Sequence, residues 1–319
     1  MKYTSLIALS TLASILVLAG CKRPGAPVDF GTYDLPPQTV PADLPLRYQL
    51  VGTLEPHLAE LKGIALGPDG RLYAAGREGV RVLDVDGKTL ATWPTPSPAH
   101  CVALAADGMV YVGLTSQVQK LDAQGAPIAS WGKEGKGTGE LAWITSIAVT
   151  ESDVYVADAD NRCVHRFDLT GDFIGDLGRR TDNSVGLVLP SRHLDCVVDA
   201  DRNVVVTNTG LRHIETYSPD GRLLGFWGES SMLPAGFSGC CNPTNVALTR
   251  DGNIVTAEKG IPRVKVHDRS GKMLAFIGPE HFSADAAGMD LAVDARDRIY
   301  VADPVAGVIR LFAPVGKGK

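Results

Sequence analysis

Charge of one sign is scarce in this sequence. Its 31 Lys and Arg stand against 36 Asp and Glu, a formal net charge of −5, and no sizeable basic cluster breaks the balance. Phosphate recognition needs a concentrated positive face, so nucleic acid is set aside as a partner. Long hydrophobic runs are also missing. The apolar stretch Ile7 to Leu18 is short for a membrane-spanning helix. There is no serine nucleophile elbow, no phosphate-cradling glycine loop and no dinucleotide fingerprint. No EF-hand spacing and no CxxC pair occur, so neither a ready-made calcium loop nor a zinc ribbon is encoded.

What the sequence does have is repetition. Six short apolar runs carry a small or branched residue at Ala65, Ala103, Ala148, Val197, Ala247 and Ala292, separated by 38, 45, 49, 50 and 45 residues. Each is followed by an Asp-Gly-like turn and a second run, such as Val110-Tyr111-Val112 or Ile299-Tyr300-Val301. A third, alternating run comes next, such as Val164 to Phe167 or Val264 to His267. Most copies close with a fourth, as in Leu223 to Gly228. Alternation, β-branched residues and Gly/Asp turns are the signature of antiparallel strands. A period near 45 residues with four strands per unit predicts an all-β, six-bladed propeller of four-stranded antiparallel blades. The sixth copy stops after its third strand, at Phe312. A spare strand-like piece, Arg47 to Leu54, precedes the first copy and is predicted to complete the sixth blade and close the ring.

The phrases Ser146 to Gly171, Asn245 to Gly271 and Leu291 to Phe312 resemble the NHL repeat family: Gly-Ile/Val-Ala-Val, then Asp-Gly-x-Ile-Tyr-Val-Ala-Asp, then Arg-Val-x-Val-Phe-Asp. The resemblance covers residues 47–313 and implies the six-bladed fold. It says little about activity, because function sits in sites grafted on a fold. Some NHL-fold enzymes, the peptidylglycine amidating lyases, hold zinc with three channel histidines; this sequence offers two candidates there, His100 and His193.

The remaining segments read in order. Residues 1–21 resemble a lipoprotein signal peptide: Lys2, the apolar stretch, then the lipobox Leu18-Ala19-Gly20-Cys21, with Cys21 as the lipidated residue. Residues 22–46 are Pro-rich and predict an extended tether, with an ordered strap across the propeller as the other reading; residues 314–319 are a tail. These imply a bacterial cell-envelope lipoprotein facing the periplasm or exterior, with the outer membrane slightly favoured by Lys22.

Two rings of residues follow from the repeat alignment. Two positions before the anchors stand Gly63, Cys101, Ser146, Asp195, Asn245 and Asp290, expected at the channel mouth. At the end of the second strands stand Gly76, Leu114, Asp158, Asn208, Glu258 and Asp303. Asp and Asn there serve either as caps for backbone N–H groups or as oxygen ligands for a hard cation such as Ca²⁺. Three long connections (132–145, 178–195, 228–245) should crowd one part of the same face. The expected ligand-binding face is therefore Cys101, Asp158, His193, Asp195, Asn208, Asn245, Glu258, Lys259, Asp290 and Asp303. Its occupant is a protein, peptide or small ligand.

The oddest local feature is Gly239-Cys240-Cys241-Asn242-Pro243. With Cys21 set aside, five cysteines remain: Cys101, Cys163, Cys196, Cys240 and Cys241. Cys240 and Cys241 are read as a vicinal disulfide, as bridges to Cys101 or Cys196, or as ligands of a transition metal with His100 and His193. The last option defines the alternative function, a metal-dependent enzyme or metal/redox accessory protein. Cys163 is read as structural. The pair Glu258-Lys259 is read as general acid/base equipment or, in preference, as a solvated ion pair in a turn fixed by Pro262, and Trp143, out of register with Trp93, Trp131 and Trp227, as a ligand-stacking residue.

Overall fold

The computed structural model describes residues 36–315. The predicted signal peptide, Cys21 and most of the tether lie outside the described residues. Among the described residues, no helix is long and apolar enough to cross a membrane. The strands form six four-stranded antiparallel sheets. Blade 1 runs from Gly63–Leu66 to Thr89–Trp93, blade 2 from Cys101–Leu104 to Pro127–Trp131, and blade 3 from Ile144–Val149 to Phe173–Leu177. Blade 4 runs from Cys196–Val198 to Leu223–Trp227 and blade 5 from Asn245–Leu248 to Met273–Ile277. Blade 6 combines Leu291–Val293, Ile299–Asp303 and Val308–Pro314 with Tyr48–Leu54 from the other end of the described chain. Tyr48 faces Pro314 and Leu54 faces Ile309, with a bulge between Leu50 and Gly52.

The alternation of the sequence explains the packing. Inward residues of each blade meet those of the next, and the buried apolar residues form six clusters among the described residues, one at each blade-to-blade interface. Blade 6 meets blade 1 through Ile309, Leu311, Ile64 and Leu72, so no interface is left open. No blade could bury both faces alone.

Tryptophan sets the spacing in three places. Trp93, Trp131 and Trp227 end fourth strands and lie over the turn glycines Gly125, Gly171 and Gly271 of the following blade. All three glycines have φ near +90°, and a Cβ at any of them would fall within 2.7 Å of an indole. Glycine is required there twice over, by conformation and by space.

The expected free tether does not extend to residue 46. The Gln38 side chain accepts from Arg263 Nη1 at 2.5 Å and donates to the Met232 carbonyl, and Leu46 N–H bonds Leu274 O. Gln38 and Leu46 are therefore both fastened to blade 5 and the connection entering it. A proline-rich stretch is already extended and loses little entropy on docking.

Candidate functional site

The first strands line the channel, and the six ring positions lie at their starts. Gly63 is packed so tightly that a Cβ would meet the Cys101 Cα at 2.8 Å. Cys101, Ser146, Asp195 and Asp290 line a channel cavity of about 280 Å³. Above it, the connections bound a second pocket of about 250 Å³. Its polar lining is Lys62, His100, Thr145, Arg192, His193, Thr244 and Asn245, with Trp143 among its apolar walls; no carboxylate lines it.

Trp143 organises this mouth pocket, but not as a free stacking surface. The His100 ring lies 4.8 Å from it, tilted by 32°, and the Arg192 guanidinium lies 3.9 Å over it. Arg192 is further fixed by two hydrogen bonds to Asp160, at 2.7 and 2.8 Å. The indole thus aims two neighbours, as cation–π and ring contacts do. His100 Nδ1 lies 3.0 Å from the Ile144 carbonyl. A carbonyl only accepts, so Nδ1 carries the proton and Nε2 is left as an acceptor. Burial lowers the His100 pKa, with Lys62 and Arg192 adding repulsion. Burial, then Lys259 and Lys62, pushes His193 down to about 4. Both imidazoles are neutral at pH 7, beneath a cationic rim.

One hydrogen bond below, the chemistry reverses. Asn245 Nδ2 donates to Asp290 Oδ1 at 3.2 Å, and Ile64 N–H donates to Asp290 Oδ2 at 2.7 Å. Asp195 accepts from the N–H groups of Cys196 and Val246, both at 2.8 Å. Burial raises both acids, Asp195 to about 6 and Asp290 to about 7, the latter also by repulsion from Asp195. Asp290 keeps some lumen-facing surface, whereas Asp195 is buried. The pair therefore holds a proton close to neutrality. Asn245 Oδ1 is buried with no donor; with its amide turned over it would accept from a protonated Asp290.

Of the two roles expected of the second ring, it takes the capping one and not ligand binding. Asp158, Asn208, Glu258 and Asp303 are fully buried and present nothing to a ligand. Each accepts backbone N–H groups from the connection entering its own blade. Ala142 and Trp143 donate to Asp158, Val188 to Asn208, Ser238 to Glu258 and Ser283 to Asp303. They cap the connections, which is how buried N–H groups are ordinarily satisfied. Glu258 also does not pair with Lys259. It binds Arg263 and Lys265, with N–O distances of 2.7 and 2.8 Å, and both cations donate to the Gly236 carbonyl. Lys259 instead reaches Ser191 Oγ at 3.3 Å.

The expected metal set is not assembled. Among the described residues, the one group of three or more His, Cys, Asp or Glu with converging ligand atoms is Cys163, His165 and Asp176. Cys240, Cys241, His100 and His193 belong to no such group: both histidines line the mouth pocket and neither cysteine does. The Asp195–Asp290 pair supplies only two carboxylates, too few for Ca²⁺ without other oxygen ligands. No cysteine is bridged to Cys101 or Cys196; all five in the described chain are free.

Cys163, His165 and Asp176 are not foreseen as a group by the sequence. Register explains the cluster: Cys163 faces Asp158 and Val156 faces His165 across one strand pair, while His165 faces Asp176 across the next. His165 Nε2 lies 3.5 Å from Cys163 Sγ and 3.6 Å from Asp158 Oδ2. Its Nδ1 lies 2.6 Å from Asp176 Oδ1, off the ideal hydrogen-bond direction. Burial opposes a charge on His165, but Asp158 and Asp176 outweigh it and raise the imidazole to about 11. The result is a buried imidazolium between two carboxylates, with Arg179 on the far side of Asp176. Thiol, imidazole and carboxylate are in nucleophile–base–acid order, yet Cys163 and His165 are wholly buried, so no substrate reaches them.

No family model matches the chain, and no curated protein does. Solved structures do. A Bacteroides thetaiotaomicron VPI-5482 protein of unknown function superposes with a TM-score of 0.58 at 19% identity, over 84% of this chain and 72% of that one. Streptogramin B lyase gives 0.58 at 11%, over 84% and 98%. The WD40 β propeller domain of Doa1 gives 0.59 at 13%, over 83% and 97%. The chain is a six-bladed β-propeller. At these identities the likeness is one of fold alone, and the propeller's mouth has to be read from its own residues.

Proposed function

We propose that this propeller is a lipid-anchored, extracytoplasmic binding module of NHL type that takes a small organic anion, or the acidic side chain of a peptide, into its mouth pocket. The observation that carries this reading is the pocket's lining: Lys62 at the rim beside Arg192, whose charge is shared with Asp160, two neutral imidazoles within, and no carboxylate among the lining residues. Its volume, about 250 Å³, suits a ligand of side-chain to small-metabolite size. A desolvated carboxylate would gain charge-assisted hydrogen bonds there. The lipobox ending at Cys21 supports the anchor, the repeat phrases support the NHL type, and pairing of Tyr48–Leu54 with Val308–Pro314 supports closure of the ring by its N-terminal strand.

The test is titration of the full-length protein with small carboxylates and their uncharged amides, followed by calorimetry and by the part of the tryptophan fluorescence change that is lost in Trp143→Phe. Carboxylates should bind, the amides should not, and Lys62→Ala should weaken binding about tenfold, less so at high salt. Binding of the amides with equal affinity would sink the proposal.

A second reading has its own observation. Asp290, near neutral in pKa beside the neutral His193 pocket, is suited to proton transfer. Under that reading Asp290→Asn abolishes turnover of a bound carboxylate while leaving its affinity intact; under the first, no turnover exists to lose.

A further inference from the structure

The connection between blades 4 and 5 carries the one exposed cysteine of the described chain. Cys240 is exposed and Cys241 is buried, and their sulfurs lie 3.1 Å apart. Cys101, Cys163 and Cys196 are all buried. The backbone on either side of the pair is fixed. Arg212 Nε donates to Gly239 O at 2.8 Å. The Asn242 amide donates to the Ser238 and Lys259 carbonyls at 2.7 and 3.0 Å and accepts from Lys259 N–H at 2.9 Å. The two thiols are therefore presented together on a rigid platform rather than on a loose loop.

We propose that Cys240 and Cys241 form a thiol–disulfide exchange site that reduces exposed disulfides, of another protein or of a small thiol, and is left as a vicinal disulfide. Cys240, the accessible thiol, attacks as thiolate one sulfur of R–S–S–R. A bond forms between Cys240 and that sulfur, and RS⁻ leaves and takes up the proton that Cys240 gave to solvent. Cys241 then loses its proton and attacks Cys240 Sγ, expelling the second RS⁻, which is protonated in turn. Two thiols of the protein are oxidised and one substrate disulfide is reduced to two RSH. The second attack needs the sulfurs to close by about 1 Å to reach disulfide length.

Three features assign exchange rather than a structural bridge. The first is the split of exposure, an attacking thiol in solvent and a resolving thiol behind it. The second is adjacency. Neighbouring residues hold their Cα atoms about 3.8 Å apart, below the range of ordinary disulfides, so the bond between them is strained and labile, as an exchanging rather than a structural bridge is, and an excess of substrate disulfide drives its formation. The third is local charge. Burial holds Cys241 protonated, while Ser191 and Lys259 favour its thiolate, so it is held in reserve until the mixed disulfide forms. This site stands independently of the mouth pocket.

The experiment uses reduced full-length protein and oxidised glutathione, read by intact mass and peptide mapping. Wild type should release two glutathione thiols per chain, lose two hydrogens, carry no adduct and show both changes on the peptide holding Cys240 and Cys241. Cys241→Ser should accumulate glutathione on Cys240, because no resolving thiol remains. Cys240→Ser should react at least about tenfold more slowly, its remaining thiol being buried. A stable Cys240 adduct on wild type would overturn the proposal, as would Cys240→Ser reacting at the wild-type rate. Circular dichroism of both variants checks that the ring is intact, and Cys240→Ala serves if Cys240→Ser fails to fold.

Discussion

Replacing Asp290 with Asn should make the protein more stable above neutral pH and nearly unchanged in acid. A carboxyl raised from its usual value near 4 to about 7 prefers its protonated form in the folded state. Its contribution is fully present below pH 4, where both states are protonated. It is lost as pH rises toward 7, because the unfolded chain releases the proton freely and the folded one does not. Three pKa units correspond to about 4 kcal/mol. The lumen-facing surface of Asp290 and relaxation of the pair reduce this, so about 2 kcal/mol is the expected gain at pH 8. The substituted amide would keep an acceptor for Ile64 N–H and, with the Asn245 amide turned over, supply a donor for Asn245 Oδ1. Denaturant unfolding of both proteins at pH 4, 6 and 8 measures this directly. The difference between the curves is the quantity to use, since His193 and His267, both depressed by burial, contribute with the opposite sign as acid is added. Parallel curves for wild type and variant, or a variant destabilised at pH 8, would show that Asp290 is ionised and that the channel is wetter than its geometry indicates.

Other consequences are as direct. A chain starting at Glu55 lacks the fourth strand of blade 6 and exposes the edge of Val308–Pro314; it should fold poorly and aggregate, and undiminished thermal stability would refute closure by Tyr48–Leu54. His165→Asn removes the cation between Asp158 and Asp176 and should cost about 3 kcal/mol at pH 6. Because the folded imidazole is raised to about 11, that deficit is full below pH 6.5 and shrinks as pH rises toward 11, as equilibrium unfolding at pH 6 and 10 would show.

The fold is legible because its information is local and repeated. Alternation places the strands, and the missing fourth strand of the last repeat points to the spare one near Tyr48. The channel ring is legible too, since alignment on Ala65, Ala103 and their counterparts carries two residues back to Cys101, Asp195 and Asp290. The site above it is only half visible. One position before that ring stand Lys62, His100, Thr145, Leu194 and Thr244, all of which line the mouth pocket; nothing in their mixed chemistry marks that column as a set. Trp143 stands out for being out of register, but its contacts with His100 and Arg192 depend on how two long connections cross. The residues Asp158, Asn208, Glu258 and Asp303 suggest a ligand because their polarity is visible in the sequence and their burial is not. The meeting of Cys163, His165 and Asp176 depends on the register between two paired strands, which composition does not reveal.

Those four buried acceptors give the ring an unequal tolerance to change. Each fastens an incoming connection by one or two backbone N–H groups, and a backbone N–H is offered by every residue except proline. The residues between fastening points can thus differ in length and chemistry without disturbing the sheets, provided the chain returns to the same socket. Blades 1 and 2, with Gly76 and Leu114 in the corresponding places, have no socket of this kind. Blades 3 to 6 are where new recognition loops can be installed, by exchange or by design, while the other two keep the ring's short, fixed side.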